Sequence, residues 1–200
     1  AWGPAHYSIG RDSPGTGAEG PLTADGRELV KEMAKLGIIL DVTHLTDEAF
    51  WEALDLYDGP AVWASHNNCR ALVPHQRQFA DEQLKAIIER GGVIGMAFDA
   101  WMMIHGWERF KTLPAEVGLK IAHCLEHIAH ICQLVGNANH VGIGSDLDGG
   151  YGIEQTPMDL NSIADLRTLI DLLAERGYPA RDIEKIMHGN WLQLLRRAWS

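Results

Sequence analysis

Two hundred residues are enough for one domain with a substantial core, and 46% hydrophobic with 22% charged residues is the composition of a soluble globular protein. The balance of 27 acidic against 17 basic residues, a net charge of −10, argues against nucleic acid as a partner, because phosphate binding needs a basic footprint. Cys69, Cys124 and Cys132 form an odd set without a CxxC pair, so no disulfide framework is implied and a reducing compartment fits; the longest apolar runs fall far short of the ~20 residues a membrane span needs.

The chain opens AWGPAHY rather than with methionine, so the N-terminus is expected upstream. Gly10 to Gly20 reads as one long glycine-rich loop. A helix follows, with Leu29, Val30, Met33 and Leu36 at helical spacing and Gly37 as its stop. The first strand is Ile38 to Thr43. Thr46 then caps a helix through Phe50, Ala53 and Leu54, with Asp47 and Glu48 in its first turn. Ala61 to Ser65 is the second strand, and Asp81 to Arg90 a helix burying Leu84, Ile87 and Ile88 and broken by Gly91-Gly92. Val93 to Phe98 is the third strand, and a long helix over Val117 to Val135 leads to the fourth, Val141 to Ser145. Two helices close the chain, Asn161 to Arg176 and Ala180 onward, the second interrupted near Gly189-Asn190. Short apolar strands separated by single crossover helices predict an α/β fold with a parallel sheet, half a barrel or an open sheet.

Chemistry concentrates where strands end. His44 and His66 each stand at the C-terminal end of a predicted strand, where parallel sheets and barrels build active sites. On neighbouring strands ~4.8 Å apart, two imidazoles can converge on one zinc ion. Asp146 emerges from the fourth strand at the same mouth and suits metal binding or proton transfer, whereas Asp148 suits a loop role, accepting from nearby backbone amides. His123, His127 and His130 read as a solvated helix face opposite Ile121, Leu125, Ile128 and Cys132. His75 and His105 lie in loops that can overhang the pocket, His140 and His188 read as structural, and Trp101 and Trp107 belong to a loop that lines a pocket or packs on the core.

The blocks PLTADGRELVKEMAKLG, LDVTHLTDEAFWEAL, ASHNNCRALVPHQRQFADEQL, ERGGVIGMAF, HVGIGSDLDGG and IEKIMHGNWLQLL, in this order, resemble the renal (membrane) dipeptidase family over residues 20–200. The resemblance implies a (β/α)8 TIM-barrel type fold, amidohydrolase-like, with residues 1–200 as the C-terminal part of a single barrel domain: about four βα units plus C-terminal helices. It implies zinc-dependent hydrolysis of dipeptides by a hydroxide bridging two zinc ions. By resemblance His44 and His66 are metal ligands, Asp146 is the catalytic aspartate that also contacts substrate, and Arg77, rather than Arg70, binds the substrate carboxylate.

The family's His-x-Asp pair and metal-bridging glutamate are absent here and belong upstream of residue 1 in the family order, and His6 is not assigned to the family's substrate-contacting histidine. Two rivals stand beside this reading. One is another amidohydrolase acting on N-acyl amino acids, cyclic amides or lactones; the other is a non-catalytic barrel relative with an incomplete metal site. The expected partner is a small dipeptide, with no membrane segment and a homo-oligomer left open. The C-terminus LLRRAWS has no apolar tail for a lipid anchor, so a cytoplasmic, bacterial-type enzyme is expected.

Overall fold

In the computed structural model, which describes residues 19–200, four short strands run parallel and pair in chain order. The loop expected from Gly10 lies outside the described residues up to residue 18, as does His6. Strand β1 (Leu40–Asp41) pairs with β2 (Val62–Trp63), Leu40 opposite Val62. A bridge between Ala64 and Ile94 carries the sheet on to β3 (Ile94–Ala97), which pairs with β4 (Val141–Ser145), Ile94 opposite Val141. Every neighbouring pair is joined by a helical crossover, the repeating βα unit of which the (β/α)8 barrel implied by the resemblance is built. The regular ladders are shorter than the expected strands, because the backbone leaves the sheet early to reach the loops that follow.

The crossovers form for local reasons. Helix α1 (Ala24–Lys35) starts where Thr23 Oγ1 accepts the Gly26 N–H at 3.0 Å, and ends before Gly37, whose φ of +70° only glycine adopts without cost. Its buried stripe is narrower than expected, since Leu36 is exposed. Helix α2 (Asp47–Leu56) is capped by Thr46 as predicted, Oγ1 accepting the Ala49 N–H at 3.2 Å, and buries Phe50, Ala53 and Leu54. Helix α3 (Asp81–Glu89) buries Leu84 and Ile87, and Gln83 reaches back to the Ala80 N–H at 2.9 Å.

The long helix expected over Val117 to Val135 is divided. Short helices α4 (Ala100–Met103) and α5 (Pro114–Val117) come first, and Gly118, in the left-handed region, stops α5. A 3-10 turn (Ile121–His123) then leads into α6 (Cys124–Val135). Asn161 to Arg176 also departs from a single α-helix. Asp165 accepts the N–H groups of Asn161 and Ser162 at 2.9 and 2.8 Å and winds Ile163–Thr168 as 3-10 before α7 (Leu169–Glu175). At the C-terminus the expected interruption is a π turn over Lys185–Gly189 that joins α8 (Ala180–Glu184) to α9 (Asn190–Ala198) without breaking the helix.

The main core lies between sheet and helices, where Phe50, Phe79, Leu84, Ile94, Met96 and Ile128 are fully buried. The Phe50 and Phe79 rings meet edge to face at 5.0 Å. His127 corrects the sequence reading of a solvated histidine face. It is 1% exposed, its Nδ1 accepting the Cys69 N–H at 3.1 Å and its Nε2 donating to the Met103 carbonyl at 3.1 Å. His130 turns to Asp81 at 2.7 Å and His123 to the Lys120 backbone, so the three rings serve three different contacts. No helix among the described residues is long and apolar enough to cross a membrane.

Candidate functional site

The C-terminal ends of β1 and β2 are tied together by one carboxylate. Asp41 Oδ1 accepts the Thr43 N–H at 3.0 Å, an Asx-type turn, and the Ser65 N–H across the sheet at 3.2 Å. The turn delivers His44 with a φ of +71°, a region a non-glycine residue rarely occupies and one where strain often accompanies function.

On β2, Ser65 sets the next ring. Its Oγ lies 2.8 Å from His66 Nδ1 and 3.5 Å from Thr43 Oγ1. Its carbonyl oxygen rests against two glycines of the neighbouring strands. A Cβ added at Gly95 or at Gly144 would stand 2.1 or 2.0 Å from that oxygen, so only glycine fits either position. His66 Nε2 comes to 2.9 Å from His44 Nε2, with the ring planes at 62°.

Asp146 follows β4 with a φ of +63°, next to Ser145 at +22°, and its Oδ1 is 3.8 Å from His66 Nε2. Burial pushes its carboxyl up to about 6, against the pull of the Arg77 guanidinium. Asp148 does not take the loop role expected of it. It is exposed, and the Gly149 N–H goes to the Asp146 carbonyl at 2.9 Å. Arg77 is 2% exposed, donating to Asn67 Oδ1 and, at 2.9 Å, to the His66 carbonyl. Arg70 points elsewhere, forking onto Asp47 at 2.9 and 2.7 Å. The structure therefore brings His44, His66, Asp146 and Arg77 to one mouth, sends Arg70 away from it, and leaves Asp148 exposed close enough for its charge to act on His66 and Asp146.

The two histidines suit a metal ion as part of a ligand set. Burial, and then the Arg77 charge, drive His66 down to about 4, so the ring is neutral; with its proton on Nδ1 toward Ser65, the Nε2 lone pair faces His44. Two imidazoles on one tetrahedral zinc stand about 3.3 Å apart. The observed 2.9 Å would have to open by only roughly 0.4 Å. Among the described residues no group of three or more His, Cys, Asp or Glu side chains is gathered as a complete ion site.

A second polar cluster at this mouth escaped the sequence reading. Asp99, just past β3, is buried, its Oδ2 accepting from Trp101 Nε1 at 2.5 Å and Arg109 at 2.6 Å and its Oδ1 from Gln155 at 2.5 Å. Burial raises its carboxyl above the usual range while Arg109 opposes the shift. The Arg109 guanidinium lies 5.3 Å above the Trp101 ring, and His75 stacks on that ring at 4.1 Å. Trp101 is thus core rather than free pocket wall, and His75 packs against its ring. Beneath them Asn68 exchanges bonds with Ala97, its Oδ1 accepting at 2.9 Å and its Nδ2 donating at 3.1 Å. The signal that finds Asp99 is the one used for His44, His66 and Asp146, a polar residue directly after a strand. His140 is structural as expected, Nδ1 donating to the Gly92 carbonyl at 2.9 Å.

The geometry can be set beside known proteins. The family model described as membrane dipeptidase, peptidase family M19, matches residues 5–199. An uncharacterized protein in the pqqA 5′ region of Klebsiella pneumoniae is 34% identical over 187 residues, covering 93% of this chain and 65% of that relative. A dipeptidase of Claviceps purpurea, tcpJ, is 29% identical over 175 residues, covering 88% of this chain and 38% of its own. A Rhodobacter sphaeroides metallo peptidase, solved with a phosphinate mimic of the dipeptide L-Ala-D-Ala, superposes with a TM-score of 0.78 at 32% identity, over 91% of this chain and 48% of that one. The chain thus spans from 38% to 65% of the length of these relatives.

Proposed function

This chain belongs to the membrane dipeptidase family, peptidase family M19, and from that premise we propose that it supplies the C-terminal half of a (β/α)8 barrel that hydrolyses dipeptides with two zinc ions. One observation carries the reading: at the C-terminal end of a parallel sheet, His44 Nε2 and His66 Nε2 converge to 2.9 Å with Asp146 Oδ1 3.8 Å from the second. His44 and His66 would hold one ion. When bound, the metal polarises the scissile carbonyl and makes water a nucleophile near neutral pH.

Asp146 receives the proton of the attacking water and returns it to the leaving amine, a role that its place beside His66 supports. Arg77 holds the substrate's terminal carboxylate. Two of its N–H groups are engaged by Asn67 and the His66 carbonyl, and a planar guanidinium has further donors in the fork that suits a carboxylate. The bond to the His66 carbonyl also fixes the backbone of that ligand. The dipeptide mimic bound by the Rhodobacter sphaeroides relative supports a dipeptide as substrate. A cytoplasmic setting is part of the proposal, supported by three unpaired cysteines.

The test is to assay the zinc-loaded protein that carries this chain on L-Ala-D-Ala and on N-acetyl-L-alanine. We expect hydrolysis of the dipeptide, with both turnover and zinc lost in His66→Ala. An unchanged dipeptide rate in that variant refutes the assignment. Cleavage of the N-acyl amino acid alone would move the site to another amidohydrolase chemistry.

A further inference from the structure

The opposite end of the sheet holds a second concavity. A cavity of about 330 Å³ lies between the segments that enter β3 and β4 and the C-terminal helix, at the small end of the range for ligand sites. Arg181, Lys185 and Arg197 line it together with His140 and Asn190, and no carboxylate does. In a chain whose acids outnumber its bases 27 to 17, three permanent cations around an acid-free hollow make a local reversal of charge.

The cations are held in different ways. Arg181 and Lys185 stand one helical turn apart on the same face. Arg181 enters no ion pair among the described residues, and Lys185 pairs with the mostly buried Asp182 at 3.0 Å. Arg197 is fixed by a backbone group instead of an acid, donating to the Gly91 carbonyl at 2.6 Å. Gly91 has a φ of +69°, and a Cβ there would lie 2.7 Å from Arg197 Nη1, so the glycine makes room for the guanidinium. Asn190, 2% exposed, spends both amide hydrogens on the carbonyls of Ala138 and Val141 at 2.7 and 2.8 Å. Its carbonyl oxygen is closed off from solvent and from the cavity, so Asn190 serves as wall and not as a ligand contact.

We propose that this cavity binds a small phosphate-bearing anion. Charged phosphate oxygens accept from Arg181, Lys185 and Arg197, whether on free phosphate or on a small ester. The site is independent of the hydrolytic reading, since it stands at the other end of the strands from His44, His66 and Asp146.

Calorimetric titration of the intact protein with inorganic phosphate and with ribose 5-phosphate, at fixed ionic strength set with chloride, tests this. We expect saturable one-to-one binding of at least one of the two, weakened about tenfold in Arg181→Gln/Lys185→Gln, which removes two charge-assisted contacts and keeps the helix. Binding is expected to survive in His66→Ala. Tighter binding of the ester assigns the site to a sugar phosphate, and equal or tighter binding of phosphate assigns it to the free ion. Absence of saturable binding overturns the proposal, as does binding that disappears in His66→Ala yet persists in the double variant; a thermal melt of each variant checks folding.

Discussion

Asp99 is the residue on which the loops above the sheet depend. Its carboxylate gathers Trp101, Arg109 and Gln155, so the segments after β3 and β4 share one buried negative charge. Removing one partner of a buried ion pair strands the other, and this costs far more than the pair contributes by itself. Asp99→Asn is nearly the same size but no longer neutralises Arg109, and its amide confronts donors. We expect a loss of about 3 kcal/mol, read by urea denaturation of the intact protein; a change within the error of that measurement would show that the cluster is solvated and interchangeable. The strained backbones of His44 and Asp146 belong to the same scale, because both hold their side chains toward the mouth through conformations that glycine would enter more cheaply.

Among the elements, the point of tightest packing is the Ser65 carbonyl between Gly95 and Gly144. It locks three neighbouring strands at the level of the histidines. Gly144→Ala should therefore be one of the most damaging single-methyl changes in the protein, destabilising it by roughly 2–3 kcal/mol through overpacking against backbone that cannot yield. A chemical denaturation curve with an unchanged midpoint would contradict this close approach. The elements also mark how far the sequence could be read. Helix α2 was correct to its cap, because Thr46 and the two acids after it act locally. The four strands and their parallel sense followed from apolar runs and spacing, and so did the placing of His44, His66 and Asp146 at one end. What could not be read depended on partners distant in the chain. His127 lies at a polar position by helical periodicity, yet two backbone groups, at Cys69 and Met103, draw it inside. Asp99 needs Gln155, 56 residues later, before it can be recognised as a buried hub.

For the whole molecule, the buried neutral His127 sets a limit on the acid side. Burial drives its ring down to about 4, from an ordinary value near 6.5. The unfolded chain therefore binds a proton at a higher pH than the folded one. Sign and window follow: the contribution is intact above about pH 6.5 and is lost as pH falls toward 4, at up to about 1.4 kcal/mol per pH unit. Lowered carboxyls such as Glu52, held down by Arg27, act in the same direction at lower pH. Unfolding free energies measured from pH 7 to pH 4 should fall more steeply for the native protein than for His127→Gln, which is less stable at neutral pH but has no proton to gain. Parallel curves would assign the acid sensitivity to other groups.

The π turn over Lys185–Gly189 bears on how this chain tolerates changes in length. A π turn accommodates one more residue than an α turn, so the extra residue is absorbed within five positions and the helix on either side keeps its phase. Wound as regular α-helix, the same five residues would rotate α9 by about 100°. That rotation would carry Asn190 off the carbonyls of Ala138 and Val141, and Trp191 off that of Ile143. A deletion of the exposed His188 would therefore convert the bulge to plain helix with these three bonds kept. The same deletion one turn later, inside α9, would instead rotate Leu194 off the small core it shares with Ile39, Ala61 and Val93.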